Sequence, residues 1–194
     1  GGLALDDNTT AGNNTAIGFS SLGANTTGTQ NVALGAYALD ANTTANNNIA
    51  IGYNSLGVNT TGSQNVALGS YALDANTTAS SGTAIGHNAL STNTTGPENV
   101  AVGEGALELN TTGGTNVAVG REALAANTTA SNNTGVGYRA LLSNTTGASN
   151  VAVGKGALDA NTTGGSNTSL GKDSLGTNTT GGSNTALGHN ALEN

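Results

Sequence analysis

The side chains able to do acid–base or metal chemistry are few: two histidines, eleven carboxylates, four Lys or Arg and no cysteine in 194 residues. Their spacing is set by a repeat. Asn-Thr-Thr begins at Asn8, Asn25, Asn42, Asn59, Asn76, Asn93, Asn110, Asn127, Asn144, Asn161 and Asn178, always 17 residues apart. With that Asn as position 1, His87 and His189 both fall at position 12, six repeats apart. If repeats stack as neighbouring strands, the two imidazoles are roughly 29 Å apart, too far to share a substrate. Asp40, Asp74, Glu108, Asp159 and Glu193 recur at position 16, but Gly57, Ser91 and Ala125 interrupt them. A calcium-binding solenoid needs aligned carboxylates in adjacent turns. No Gly-Lys-Ser/Thr follows any glycine, so there is no phosphate loop. The expectation is a protein without catalytic residues, metal or cofactor.

Each Asn-Thr-Thr also fits the Asn-x-Ser/Thr acceptor pattern for glycosylation, as do Asn13, Asn132 and Asn167. Glycans on every repeat would crowd into steps of about 4.8 Å. The competing expectation is an asparagine ladder bonded between coils. The Thr-Thr pairs could likewise line up as a flat hydroxyl array, the arrangement an ice-binding surface needs.

The individuality of the chain lies at positions 12 and 13. Phe19, Tyr53, His87, Glu104, Arg121, Tyr138, Lys155, Lys172 and His189 occupy position 12, and Tyr37, Tyr71 and Arg139 occupy position 13. All four basic residues and all five Phe or Tyr are here. These side chains form the candidate contact face for a receptor, a matrix or a neighbouring filament. An ordinary solvated edge is the alternative.

The elements that must carry these side chains follow from the invariant positions. Gly (31), Thr (31) and Asn (29) make up nearly half the chain, which disfavours helix. Position 11 is always Gly, position 15 always Leu and position 10 always Ile, Leu or Val. Position 9 is Ala except at Gly135 and Ser169, and position 7 is Asn except at Gly82. Positions 7 to 11 read as a short strand and positions 13 to 16 as a second one. Gly at position 11 suits a corner with positive φ, and Asn-Thr-Thr-Gly/Ala reads as the opposite turn. Alternation then places positions 8 and 10, with Leu at 15, in the interior, and turns the alanine row at position 9 outward. A row of small residues suits close approach of another surface, so self-association is expected there, through Ala67, Ala101 and Ala118 among others.

The chain is therefore read as all-β: one domain, residues 1–194, forming a flattened parallel β-solenoid with one 17-residue repeat per coil. Residues 1–7 make a partial coil and eleven full coils follow. Stacking by 17 places Glu104 beside Arg121 and Glu122 beside Arg139. No apolar run is long enough to span a membrane. A net charge of −7 with four basic residues argues against nucleic acid. The chain begins at position 11 and stops at position 17 without capping sequences. Open edges invite pairing, so end-to-end filaments are expected.

The strings NTAIGFSSL (Asn14 to Leu22), NVALGAYAL (Asn31 to Leu39) and NVAVGKGAL (Asn150 to Leu158) resemble the head repeat of trimeric autotransporter adhesins of the YadA type. Related repeats occur in phage tail fibres. The resemblance runs the whole length of the chain. It implies a left-handed parallel β-roll, a trimer packed through its strands, and display outside the cell or at its surface, against a host or matrix surface. The coil here is longer than is usual in that family, with Asn-Thr-Thr-Gly as an enlarged turn. The functional expectation is an extracellular structural rod, adhesin-like or filament-forming, that acts by self-association. The alternatives are a ligand-binding adhesin head, a tail-fibre shaft or an ice-binding solenoid.

Overall fold

The computed structural model describes residues 1–193. Eleven strands of three residues each stack in one parallel sheet, in chain order, from β1 (Thr15–Ile17) to β11 (Thr185–Leu187). Register is constant. Residues pair with those 17 positions on, as in Val66↔Thr83, Ala67↔Ala84 and Leu68↔Ile85 between β4 (Val66–Leu68) and β5 (Thr83–Ile85). Ten steps of about 4.8 Å make a rod roughly 50 Å long. No helix is present among the described residues, and the solenoid expected from the repeat is the fold.

Two local expectations are corrected. The first concerns positions 13 to 16, which form turns and not a second strand. Position 13 has positive φ in every full coil, and so does Leu at position 15, for example Leu73 at 52° and Leu107 at 52°. Strands cannot accommodate alternating left-handed residues. The backbone of this segment still bonds from coil to coil, as in Leu73 N–H to the Ala89 carbonyl at 3.1 Å.

The second correction is the direction of the strand faces. Ala33, Ala50, Ala67, Ala84, Ala101, Ala118 and Ala152, all at position 9, are fully buried. Positions 8 and 10 point outward. The roll is too thin to hold two branched side chains per strand against the wall opposite. At Gly135, which replaces the usual alanine, an added Cβ would lie 3.3 Å from Leu124 Cγ and 3.2 Å from the Ala140 carbonyl. Ala fits that gap, and the Leu of position 15 fills the remainder. The core is thus one Leu and two small residues (positions 9 and 14) per coil. Ala67, Ala101 and Ala118 are core residues and cannot form a contact surface.

Leu at left-handed φ costs about 1–2 kcal/mol. Full burial of that side chain contributes about 1.5–3 kcal/mol, which offsets it. Gly at position 11 has no such trade available. At Gly69, φ is 137° and an added Cβ would lie 2.5 Å from the Gly86 carbonyl oxygen of the next coil. Both the dihedral and the stacking distance require glycine.

Candidate functional site

The outer edge just past the Gly corner divides into two strips. Over the first five coils an unbroken aromatic ladder runs Phe19–Tyr37–Tyr53–Tyr71–His87. Successive ring centroids are 5.5, 5.9, 5.4 and 6.2 Å apart, with interplanar angles of 74–87°. The ladder zigzags, using position 12 in one coil and position 13 in the next. Edge-to-face contact of this kind is favourable, yet every ring stays exposed, with Phe19 and Tyr53 at 47%.

The next coils carry charge. Arg121 Nε lies 3.6 Å from Glu104 and its guanidinium 3.0 Å from Glu122. Arg139 Nε donates to Glu122 at 2.5 Å. Both pairings expected from the 17-residue register are formed. Tyr138 sits between the two arginines, with Arg139 Cζ 5.0 Å and Arg121 Cζ 6.0 Å from its ring centroid. The hydrogen bond and charge of Arg139 hold the Glu122 carboxyl below its usual range, and Glu122 raises Arg139 in return. Lys172 pairs with Asp173 at 3.0 Å and approaches His189 at 3.5 Å. Lys155 continues the same row. These exposed pairs mark register more than they add stability.

The structure keeps the histidines apart, His87 against Tyr71 and His189 against Lys172. Among the described residues, no three His, Cys, Asp or Glu side chains converge as a metal site would require.

The asparagines of Asn-Thr-Thr form a continuous amide ladder through the interior. Asn42 Nδ2 donates to Asn25 Oδ1 at 2.9 Å and to the Ala45 carbonyl at 3.2 Å. The pattern repeats from Asn25 to Asn178. From Asn25 to Asn161 these residues are at most 1% exposed, and both amide hydrogens are engaged. No amide there is open to a glycan. Thr60 Oγ1, at position 2, donates to the Thr77 carbonyl at 3.1 Å, and its equivalents in other coils do likewise. Among the described residues the position 3 hydroxyls, as at Thr61, make no such bond.

Three features escaped sequence reasoning. The first is a second asparagine ladder at position 7. There Asn48 Oδ1 accepts from the Asn65 backbone N–H at 2.9 Å, and Asn48 Nδ2 donates to the Gly62 carbonyl at 2.9 Å. The second is a set of partly buried carboxyls, Asp40, Asp74 and Asp159, pushed up by burial. The third is the outer face of the sheet. Ile17 (58% exposed), Leu34, Ile49, Leu68, Ile85, Val119, Val153 and Leu170 stand on it, in an unbroken apolar row at position 10 beside a row at position 8 that mixes Val and Ile with Thr15, Thr83, Thr134, Thr168 and Thr185. The signal for it was present: position 9 never exceeds Ala or Ser in size, as an interior position in a narrow roll must not.

No protein family, curated protein or solved structure matches this chain.

Proposed function

We propose that this chain is an extracellular structural rod that assembles with copies of itself through the apolar face of its sheet. The observation carrying the proposal is that face. It is roughly 50 Å by 12 Å, or about 600 Å², taking two side-chain rows about 7 Å apart with their breadth. That matches or exceeds the largest apolar patch of an ordinary monomer, about 300–600 Å². It approaches the roughly 800 Å² per partner of a stable interface. A flat face of Val, Ile and Leu with five interspersed Thr, at constant register, fits another copy of itself, and three such faces can close around an axis. The resemblance to trimeric adhesin heads favours the trimer and the extracellular setting.

The test is sedimentation of Ile85→Gln, Val102→Gln and Val119→Gln in one chain, against Thr95→Gln, Thr112→Gln and Thr129→Gln as exposed controls. The face variant should sediment as a single folded chain while the control keeps the parent mass. A parent that is already monomeric, or a face variant with unchanged mass, removes the proposal.

A further inference from the structure

We infer that the aromatic ladder from Phe19 to His87 is a binding rail for a neutral, extended polysaccharide of β-linked pyranose units. This goes beyond self-assembly, because the rail lies past the Gly corner and not on the strand face.

Four observations lead there. The first is backbone geometry. Tyr37 and Tyr71 sit at position 13 with φ of 59° each. Five of the other coils place Asn54, Asn88, Asn190, Gly105 or Gly156 there, residues suited to left-handed φ, and four place Ser20, Glu122, Arg139 or Asp173 at the same dihedral. A bulky ring at that dihedral runs against local preference. Unlike Leu at position 15, it gains no full burial in return, since Tyr37 is 36% and Tyr71 38% exposed. The dihedral belongs to the fold, and Asn or Gly would meet it with less strain, so the two tyrosines stand there against local preference.

The second is extent. Four rings at about 40% exposure present roughly 350 Å² in all, given about 200 Å² per aromatic side chain. That is under half of a protein–protein interface and is the scale of a few sugar rings. The third is chemistry. No charged residue occupies positions 12 or 13 over these coils. The rings are flanked by Asn54, Ser70 and Asn88, and among the described residues none of these has a side-chain hydrogen-bond partner. Exposed aromatic surface beside open amide and hydroxyl groups matches a pyranose, whose C–H face is apolar and whose rim is hydroxyls.

The fourth is period. A ring recurs at the same position every second coil, Phe19, Tyr53 and His87 at position 12 and Tyr37 and Tyr71 at position 13, about 9.6 Å apart. An extended β-linked glycan alternates the orientation of successive sugars and so also repeats every second unit.

The experiment is retention of the full chain on insoluble cellulose and chitin and in gels cast with soluble β-glucan, at low and high salt. The parent should be retained on at least one, independent of salt. Tyr71→Asn and Tyr53→Ser use residues that other coils carry at those positions. Each should weaken retention about tenfold, the loss of one stacked ring. Tyr138→Ser, off the rail, should change nothing. The Tyr71→Asn variant should melt no lower than the parent, because Asn suits the left-handed position, so loss of fold cannot explain loss of binding. Its sedimentation should also match the parent, which separates this outcome from failure of the assembly face. The inference is overturned by a parent that none of these glycans retains, by variants that bind as the parent does, or by retention that salt abolishes. Tyr53- and Tyr71-dependent capture of collagen or another matrix protein, with no glycan retained, also overturns it.

Discussion

At the residue scale, an amide that is buried must be paired, and this chain solves that by repetition. Position 7 supplies each next coil with a side-chain acceptor for its backbone N–H, except at Gly82. The Gly82 N–H is served by Asn65 Oδ1 at 2.8 Å. Gly82 offers nothing onward, and the buried Asn99 N–H has no acceptor among the described residues. Gly82→Asn should complete the ladder, restoring one buried hydrogen bond and removing a glycine, for a gain of about 1–2 kcal/mol. Denaturant unfolding measures it, and a variant no more stable than the parent would mean the gap costs nothing.

The partly buried carboxyls give a second residue-level outcome. Desolvation raises Asp40, Asp74 and Asp159, and Asp74 Oδ1 is buried without a partner. A carboxyl raised in the folded state takes up its proton there before it does in the unfolded chain. Its penalty is therefore absent below the unfolded value near 4, grows as pH rises from there to the raised folded value, and is full above it. Acidification from pH 7 toward the carboxylate range should stabilise the protein through these groups. Asp74→Asn should melt higher than the parent at pH 7, and the two should converge as pH falls toward about 4. A difference between them that does not depend on pH would contradict this assignment.

At the element scale, the coil is a three-residue strand and a long turn that carries most of the sequence constraint. The strand alone is too short to define its own faces. What orients it is the Leu of position 15, held at left-handed φ so that it reaches across to the alanine of position 9. At Ser169 the fit is made differently: its hydroxyl donates to the Ser174 carbonyl at 2.7 Å, in the one coil with serine at both positions 9 and 14. Where serine stands at position 14 alone, at Ser21 and Ser55, its hydroxyl donates to the Gly18 or Gly52 carbonyl at 3.1 Å, so these buried hydroxyls are paired in each case.

At the scale of the whole molecule, the rod is modular, since each coil touches only its neighbours. Removing residues 144–160 joins Ser143 to Asn161, position 17 to position 1, and leaves every later residue in its place. That variant should keep a cooperative melt, β-type circular dichroism and the parent's oligomeric mass, with a modestly lower melting temperature. Removing only 144–151 puts every later residue out of register and should unfold the coils that follow. If the shorter and longer deletions do equal damage, the stacking is not modular. The two surfaces sit on separate sides of the corner, so the proposed assembly and the proposed glycan binding do not compete for the same residues.

The amino-acid sequence by itself determined the coil length, the parallel register, the corner glycine and the pairing of Glu104 with Arg121 and Glu122 with Arg139. These follow from spacing, and a strict period transmits to three dimensions without further information. It also placed the aromatic and basic residues on one edge. Which side of each strand faces inward was decided only by the tertiary structure. Alternation fixes that positions 8 and 10 lie opposite position 9, but the choice between the two sides depends on the width of the interior. That width is set by the left-handed turn across the roll, where the sequence reads equally well as a strand. A narrow interior takes Ala and one Leu and sends Val, Ile and Leu outward, so burial here follows volume before hydrophobicity.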